Sequence, residues 1–192
     1  MSNAAADFEH RREALLKLLT DPSFLQIKGI GNEVGIFMFC FDPSLELAAQ
    51  DLARRIVRDS QTGKLPCRII ERNLYDVMLQ ICEDKRILDK IGQQEERRGS
   101  AAMLEQLRKV ASPEAFARAL AYEPHEPGDV LLITGVGEVY PVLRAHVLLD
   151  NIQSHFSDVP IVLMYPGTYS GQTMSLFSTL PAANYYRAFD IV

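Results

Sequence analysis

Residues 34–41 read Val-Gly-Ile-Phe-Met-Phe-Cys-Phe, an apolar run with no alternation of polar and apolar positions. A strand with one face in water must alternate, so a run of this kind predicts a strand covered on both faces, as in a parallel sheet. Val130–Thr134 and Ile161–Tyr165 carry the same signal. Parallel strands are not joined by tight hairpins; they need crossovers of a dozen or more residues, usually helices. The constraint is therefore strong: the chain must wind strands and helices alternately, with apolar helix faces against both sides of a sheet.

The intervening segments fit that demand. Phe8–Leu19 predicts an amphipathic helix with Phe8, Leu15, Leu18 and Leu19 on one side, stopped at Asp21-Pro22. Gly29–Asn32 reads as a turn leading to the first strand, Val34–Phe41. Asp42-Pro43 then offers an N-cap and a first helical residue. Leu45, Ala48, Ala49, Leu52 and Ile56 keep helical spacing to about Asp59. Cys67–Ile70 is a short second strand ending at Glu71–Asn73, which closes a first βαβ unit. Leu74 to about Ile91 is helical, Gly92–Gly99 interrupts it, and Ala101–Val110 and Pro113–Tyr122 are helical again, the last capped by Ser112. The third strand, Val130–Thr134, leads into a helix over Glu138–Phe156. The fourth, Ile161–Tyr165, is followed by a short helix at Thr173–Leu180 and a closing strand, Tyr185–Ile191. The fold class predicted is α/β: a three-layer α/β/α sandwich around a mostly parallel five-stranded sheet. Residues 1–192 read as a single α/β domain with a helical insertion at about 74–122.

Charge narrows the function classes. The net charge of −5 argues against broad electrostatic binding to nucleic acid, leaving Arg97, Arg98, Arg108 and Lys109 as the local basic candidates. No apolar run approaches the roughly 20 residues of a membrane helix. The first residues mix acidic and basic side chains without an apolar signal core, so a cytoplasmic protein is expected. Cys40, Cys67 and Cys82 have no Cys-x-x-Cys spacing and read as reduced, buried thiols.

In a sheet of this class, ligands and partners gather where strands hand over to helices, which points to residues 129–192. The known templates for chemistry fail there. Gly135-Val-Gly137 follows a strand, but the third position of a dinucleotide fingerprint is Tyr140. Gly167-Thr-Tyr-Ser-Gly171-Gln172-Thr173 is one residue short of a P-loop and has Gln172 in place of its lysine. What remains of a phosphate reading is the free N–H groups of that loop at a helix start. His125-Glu126-Pro127 is not a zinc motif, His146 and His155 are nine apart, and Ser170 is not in a nucleophile elbow. No metal site and no cofactor is therefore expected. Glu138, Arg144 and His146 stand in the first turns after the third strand. Arg144 is read as an ion pair with Glu138 or Asp190 across the helix–sheet seam, or else as a partner or phosphate contact. Tyr140, Tyr165, Tyr169, Tyr185, Tyr186 and Arg187 crowd near the strand ends, and tyrosines with a polar tip favour interfaces.

These residues also carry a resemblance. Leu132-Ile-Thr-Gly-Val-Gly-Glu-Val-Tyr-Pro141, Leu143-Arg144-x-His146, Val162-Leu-Met-Tyr-Pro-Gly167 and Asn184-Tyr-Tyr-Arg-Ala-Phe189 resemble the BrxB proteins of BREX bacteriophage-defence systems. The match is dense over 129–192 and looser over 8–122. It implies a place in an assembly with a large ATPase, a PglZ-type phosphatase-domain protein and a DNA methyltransferase, and it brings no catalytic residues with it. The order of elements resembles a P-loop NTPase core without its Walker motifs, an analogy of fold that licenses no activity. The leading expectation is a non-catalytic adaptor that docks other BREX components. Its contact candidates are Gly135, Gly137, Glu138, Tyr140, Arg144, His146, Tyr165, Gly167, Tyr169, Gly171, Gln172, Tyr186 and Arg187. The alternative is a nucleotide- or phosphate-binding sensor or enzyme using the glycine turns at 135–138 and 167–173.

Overall fold

A computed structural model describes residues 3–27, 35–185 and 187–192. The chain opens with α1 (Asn3–Leu18) and the single turn α2 (Pro22–Leu25), which Asp21 caps by accepting from the Ser23 N–H. The turn expected at Gly29–Asn32 and the first residue of the expected strand lie outside the described residues. Strand β1 (Ile36–Phe41) then runs into a 3-10 turn at Pro43–Leu45, where Asp42 accepts from the Ser44 N–H, and on into α3 (Glu46–Gln61). Strand β2 (Arg68–Asn73) is longer than its apolar core implies. It is followed by α4 (Leu74–Asp84), α5 (Ile91–Arg98), α6 (Ser100–Val110) and α7 (Pro113–Leu120).

Strand β3 (Asp129–Thr134) leads to α8 (Val136–Val139) and α9 (Ala145–Ile152). Strand β4 (Ile161–Tyr169) turns back as β5 (Thr173–Leu176), which pairs with β6 (Ala183–Asn184). The chain closes with β7 (Phe189–Asp190) against β1.

The sheet order is β2-β3-β4-β1-β7, parallel throughout, with β5 and β6 added antiparallel at the end of β4. The alternation of side chains along each strand fills two separate cores. Ile36, Met38, Leu131, Ile133, Ile161 and Leu163 face α4, α7, α8 and α9, where Phe116 and Phe156 are fully buried. Phe39, Phe41, Val130, Leu132, Val162 and Met164 face α1 and α3, and Phe8 packs edge-on against Phe39 with ring centroids 5.5 Å apart. This is the expected α/β/α layering. Arg11 of α1 ties down the edge strand by donating to Asp190 at 2.7 Å and to the Ile191 carbonyl at 2.9 Å.

Five expectations need correction. Strands β1 and β2 are not neighbours, because β4 and β3 lie between them. The polar stretch 92–99 does not break a helix but forms most of one, since Gln, Glu and Arg are good helix formers, and Gly99 (φ +82) ends it. The helix expected over 138–156 is two pieces, because Pro141 lacks the donor a continuing helix needs. The helix expected at 173–180 is instead strand β5 over 173–176 and a turn, and of the closing strand expected over 185–191 only Phe189–Asp190 pairs, as β7. Among the described residues no helix is long and apolar enough to cross a membrane.

Candidate functional site

All five parallel strands point the same way, so their carboxyl ends share one edge of the sheet. There a cleft of about 600 Å³ opens between α3 and the ends of β2, β3 and β4. Glu46 and Gln50 enter from α3, Glu71 and Asn73 from the end of β2, Thr134 and Gly135 from the end of β3, and Glu138 from α8. The polar groups satisfy one another. Gln50 Nε2 donates to Glu138 at 3.0 Å and to Glu46 at 3.3 Å, and Thr134 Oγ1 donates to Glu71 at 3.2 Å. Burial and the like charge of Glu138 hold the Glu46 carboxyl above its usual range, against the bond from Gln50. The only basic side chain on the cleft wall among the described residues, Arg54, is paired with Asp51. Three carboxylates facing one space make it electronegative, which disfavours phosphate. Among the described residues no group of His, Cys, Asp and Glu is arranged to hold a metal ion.

Gly135 is at φ +74, and a Cβ there would stand 2.4 Å from Asn73 Oδ1, the atom that caps α4 by accepting from the N–H groups of Tyr75 and Asp76. A Cβ on Gly137 would stand 3.0 Å from the Phe177 ring and 3.2 Å from Pro166. Gly135 is thus required by its left-handed backbone and by Asn73, and Gly137 allows a tight approach to Phe177 and Pro166.

On the far side of α8 lies a second hollow, a groove of about 350 Å³ between the start of α9 and the β5–β6 strands. Tyr140, Arg144 and His146 line one wall and Met174, Leu176, Leu180, Pro181 and Ala183 the other, with Tyr165 at the base. Arg144 is exposed, and its guanidinium has no hydrogen bond or ion pair among the described residues. The expected seam pair is not made: Glu138 is bonded to Gln50 and Asp190 to Arg11. His146 is half-buried, and desolvation with the nearby Arg144 charge lowers its pKa, Asp150 opposing.

The remaining candidates serve the β4–β5 hairpin. A Cβ on Gly167 would meet the Ser175 carbonyl oxygen at 2.2 Å, so the close pairing of the two strands excludes any side chain there. Gly171 (φ +84) makes the exposed turn beside Gln172, whose carbonyl accepts from the Tyr185 N–H at 2.8 Å. Tyr169 is buried and its hydroxyl donates to the Ala188 carbonyl at 2.9 Å. Arg187 is exposed and donates to Gln153 at 3.0 Å, while Tyr186 lies outside the described residues. No helix follows Thr173, which removes the helix-start argument for an anion at 167–173. Of the basic candidates, Arg108 donates twice to the Pro141 carbonyl, at 2.9 and 3.1 Å.

The structure therefore brings together Tyr140, Arg144, His146 and Tyr165 in one groove, and Gly135 and Glu138 in the cleft. Sequence reasoning missed Glu46, Gln50, Glu71, Asn73 and Thr134. The signal for two of them was present, since Asn73 and Thr134 are the last residues of their strands, where α/β folds place ligands.

Comparison with known proteins supplies a relationship. A family model described as BREX protein BrxB matches residues 70–191. A protein of Bacillus cereus (strain H3081.97) named BREX protein BrxB is 35% identical over 189 residues, covering 95% of this chain and 96% of that one. One of the same name from Escherichia coli O9:H4 (strain HS) is 26% identical over 186 residues, covering 96% of this chain and 91% of that one. No solved structure matches.

Proposed function

This chain belongs to the BrxB family of BREX phage-defence systems, and on that premise we propose that it is a non-catalytic adaptor. It docks other BREX proteins through the strand-end surface of its carboxyl-terminal third. The observation that carries this reading is the ribbon made by β4, β5 and β6. Where the sheet edge would otherwise open onto a ligand loop, β4 continues past Pro166 and folds back on itself. Its glycines serve strand contact and turning, and its exposed residues, Thr168, Gln172 and Thr179 among them, form a surface. The resemblance implies three partners: a large ATPase, a PglZ-type protein and a DNA methyltransferase. The nucleotide alternative is weakened by the carboxylates of Glu46, Glu71 and Glu138 beside the 135–138 turn.

The test is co-purification of the tagged protein from cells carrying the whole BREX gene set, with Arg144→Ala, Gln172→Arg and, as a control on α5, Gln93→Arg. Recovery of another BREX protein that survives Gln93→Arg and is weakened by a folded ribbon or groove variant is expected. Recovery of the tagged protein alone would sink the adaptor reading.

A further inference from the structure

The groove beside α9 pairs an apolar wall with a cationic lip. Its floor and one wall are apolar, with Met174 and Tyr165 buried and Leu176 and Leu180 half-buried. Its opposite lip is cationic: Arg144 is exposed and unpaired among the described residues, and Arg108 is held against the adjoining Pro141 carbonyl. Of the carboxylates near by, Glu138 is bonded to Gln50 on the cleft side, and Asp150 lies a helical turn beyond His146. On a chain of net charge −5, an unpaired arginine over an apolar hollow is a local reversal of sign. The first N–H groups of α9 have no side-chain cap, which adds to the positive potential there. The hollow is shallow and open to solvent, which suits contact with side chains better than enclosure of a nucleotide.

We propose that this groove binds an acidic peptide segment of a partner protein, with an aliphatic side chain seated against Met174, Leu176 and Leu180 and a neighbouring carboxylate on Arg144. The inference rests on the adaptor reading and gives it a chemistry. Arginine suits the task because its planar fork matches a carboxylate, and a charge-assisted bond beside an apolar seat is partly shielded from water. The apolar contact supplies affinity, and the arginine fixes which segment is accepted.

The experiment is selection of a phage-displayed library of random linear peptides on the full-length protein, followed by titration of the winning peptides. The expected consensus places Asp or Glu beside Leu, Ile, Val or Met. Arg144→Glu should weaken the winners by about tenfold or more, and Leu180→Asp should abolish them, both variants unfolding cooperatively. Arg144→Gln, the milder change, should give an intermediate loss. A basic or purely apolar consensus overturns the proposal, as does binding indifferent to all three changes or an absence of binders. So does a self-associating dimer abolished by Arg144→Glu, which would make a second copy the occupant. The co-purification test is read separately. If partners are still recovered with Arg144→Glu, the adaptor reading stands and the groove proposal fails. If peptides bind the groove and no partner is recovered, the reverse holds.

Discussion

Gly135→Ala tests whether the Gly-Val-Gly phrase serves packing, and its cost can be worked from the structure. At φ +74 an alanine sits in the left-handed region at a cost of about 1–2 kcal/mol. Its Cβ would also stand 2.4 Å from Asn73 Oδ1 and 2.8 Å from Asn73 Cγ, so the asparagine must move off the N–H groups of Tyr75 and Asp76 that it caps at 2.8 and 3.2 Å. Losing that cap costs about 1 kcal/mol. The total is about 2–3 kcal/mol, a fall of about 4–12 °C in Tm for a chain of this size. Urea and thermal unfolding measure it. Asn73→Ala alone should cost about 1 kcal/mol. In the double variant the cap is already gone, so the two changes should fall short of additivity by about 1 kcal/mol. A Gly135→Ala protein within about 0.5 kcal/mol of wild type, the noise level for surface changes, would refute the packing account. Strict additivity of the cycle would refute the contact with Asn73.

Two further outcomes are expected. Burial pushes the Asp129 carboxyl up, but the fork from Arg68 at 2.7 and 2.8 Å, the Glu126 N–H and the Tyr122 hydroxyl bring it below the usual range. With the folded pKa below the unfolded one, the stabilisation is present above the unfolded value of about 4 and is lost as pH falls through the folded value. Asp129→Asn should therefore be less stable at neutral pH, with the gap in Tm closing below pH of about 4; a gap independent of pH would count against this. Burial also pushes Cys40 up to about 12 and Cys67 up to about 11, so a thiol reagent at neutral pH should label neither until denaturant is added. Prompt labelling of the native protein at either position would overturn that.

What the sequence made legible follows the range of each interaction. Runs such as Phe39–Phe41 and Leu131–Ile133 declare burial on two faces by composition alone, and the layering followed from them. Caps are local too: Asp42 and Ser112 act within a few residues of themselves. Which strands are neighbours is a different matter, because β1 chooses β4 and β7 by fit across the whole sheet. The ribbon was hidden for the same reason. Thr173–Leu180 has enough apolar spacing for a helix, and only pairing to β4 across Gly167 makes Thr173–Leu176 a strand. Half of the groove was therefore visible, Tyr140, Arg144 and His146 being close in sequence, while its apolar wall at Met174, Leu176 and Leu180 was assigned to an element that does not exist.

The two hollows at the sheet edge have opposite character, and α8 is what keeps them apart. It has four residues, with Glu138 facing the acidic cleft on one side and the chain emerging at Tyr140 to line the cationic groove on the other. Helix α8 gains little from its own hydrogen bonds, since so short a helix is mostly ends. It is held instead by Val136 and Val139, buried in the core, while its glycines allow close approach, Gly135 to Asn73 of the β2–α4 junction and Gly137 to Phe177 and Pro166 of the ribbon. Here a phrase that imitates a nucleotide fingerprint is explained by two close approaches, one to each neighbouring wall. A bulky residue at Gly137 would press on Phe177 and Pro166, whereas one at Gly135 would uncap α4 and disturb the cleft. The close approaches at the two glycines account for the phrase without any ligand.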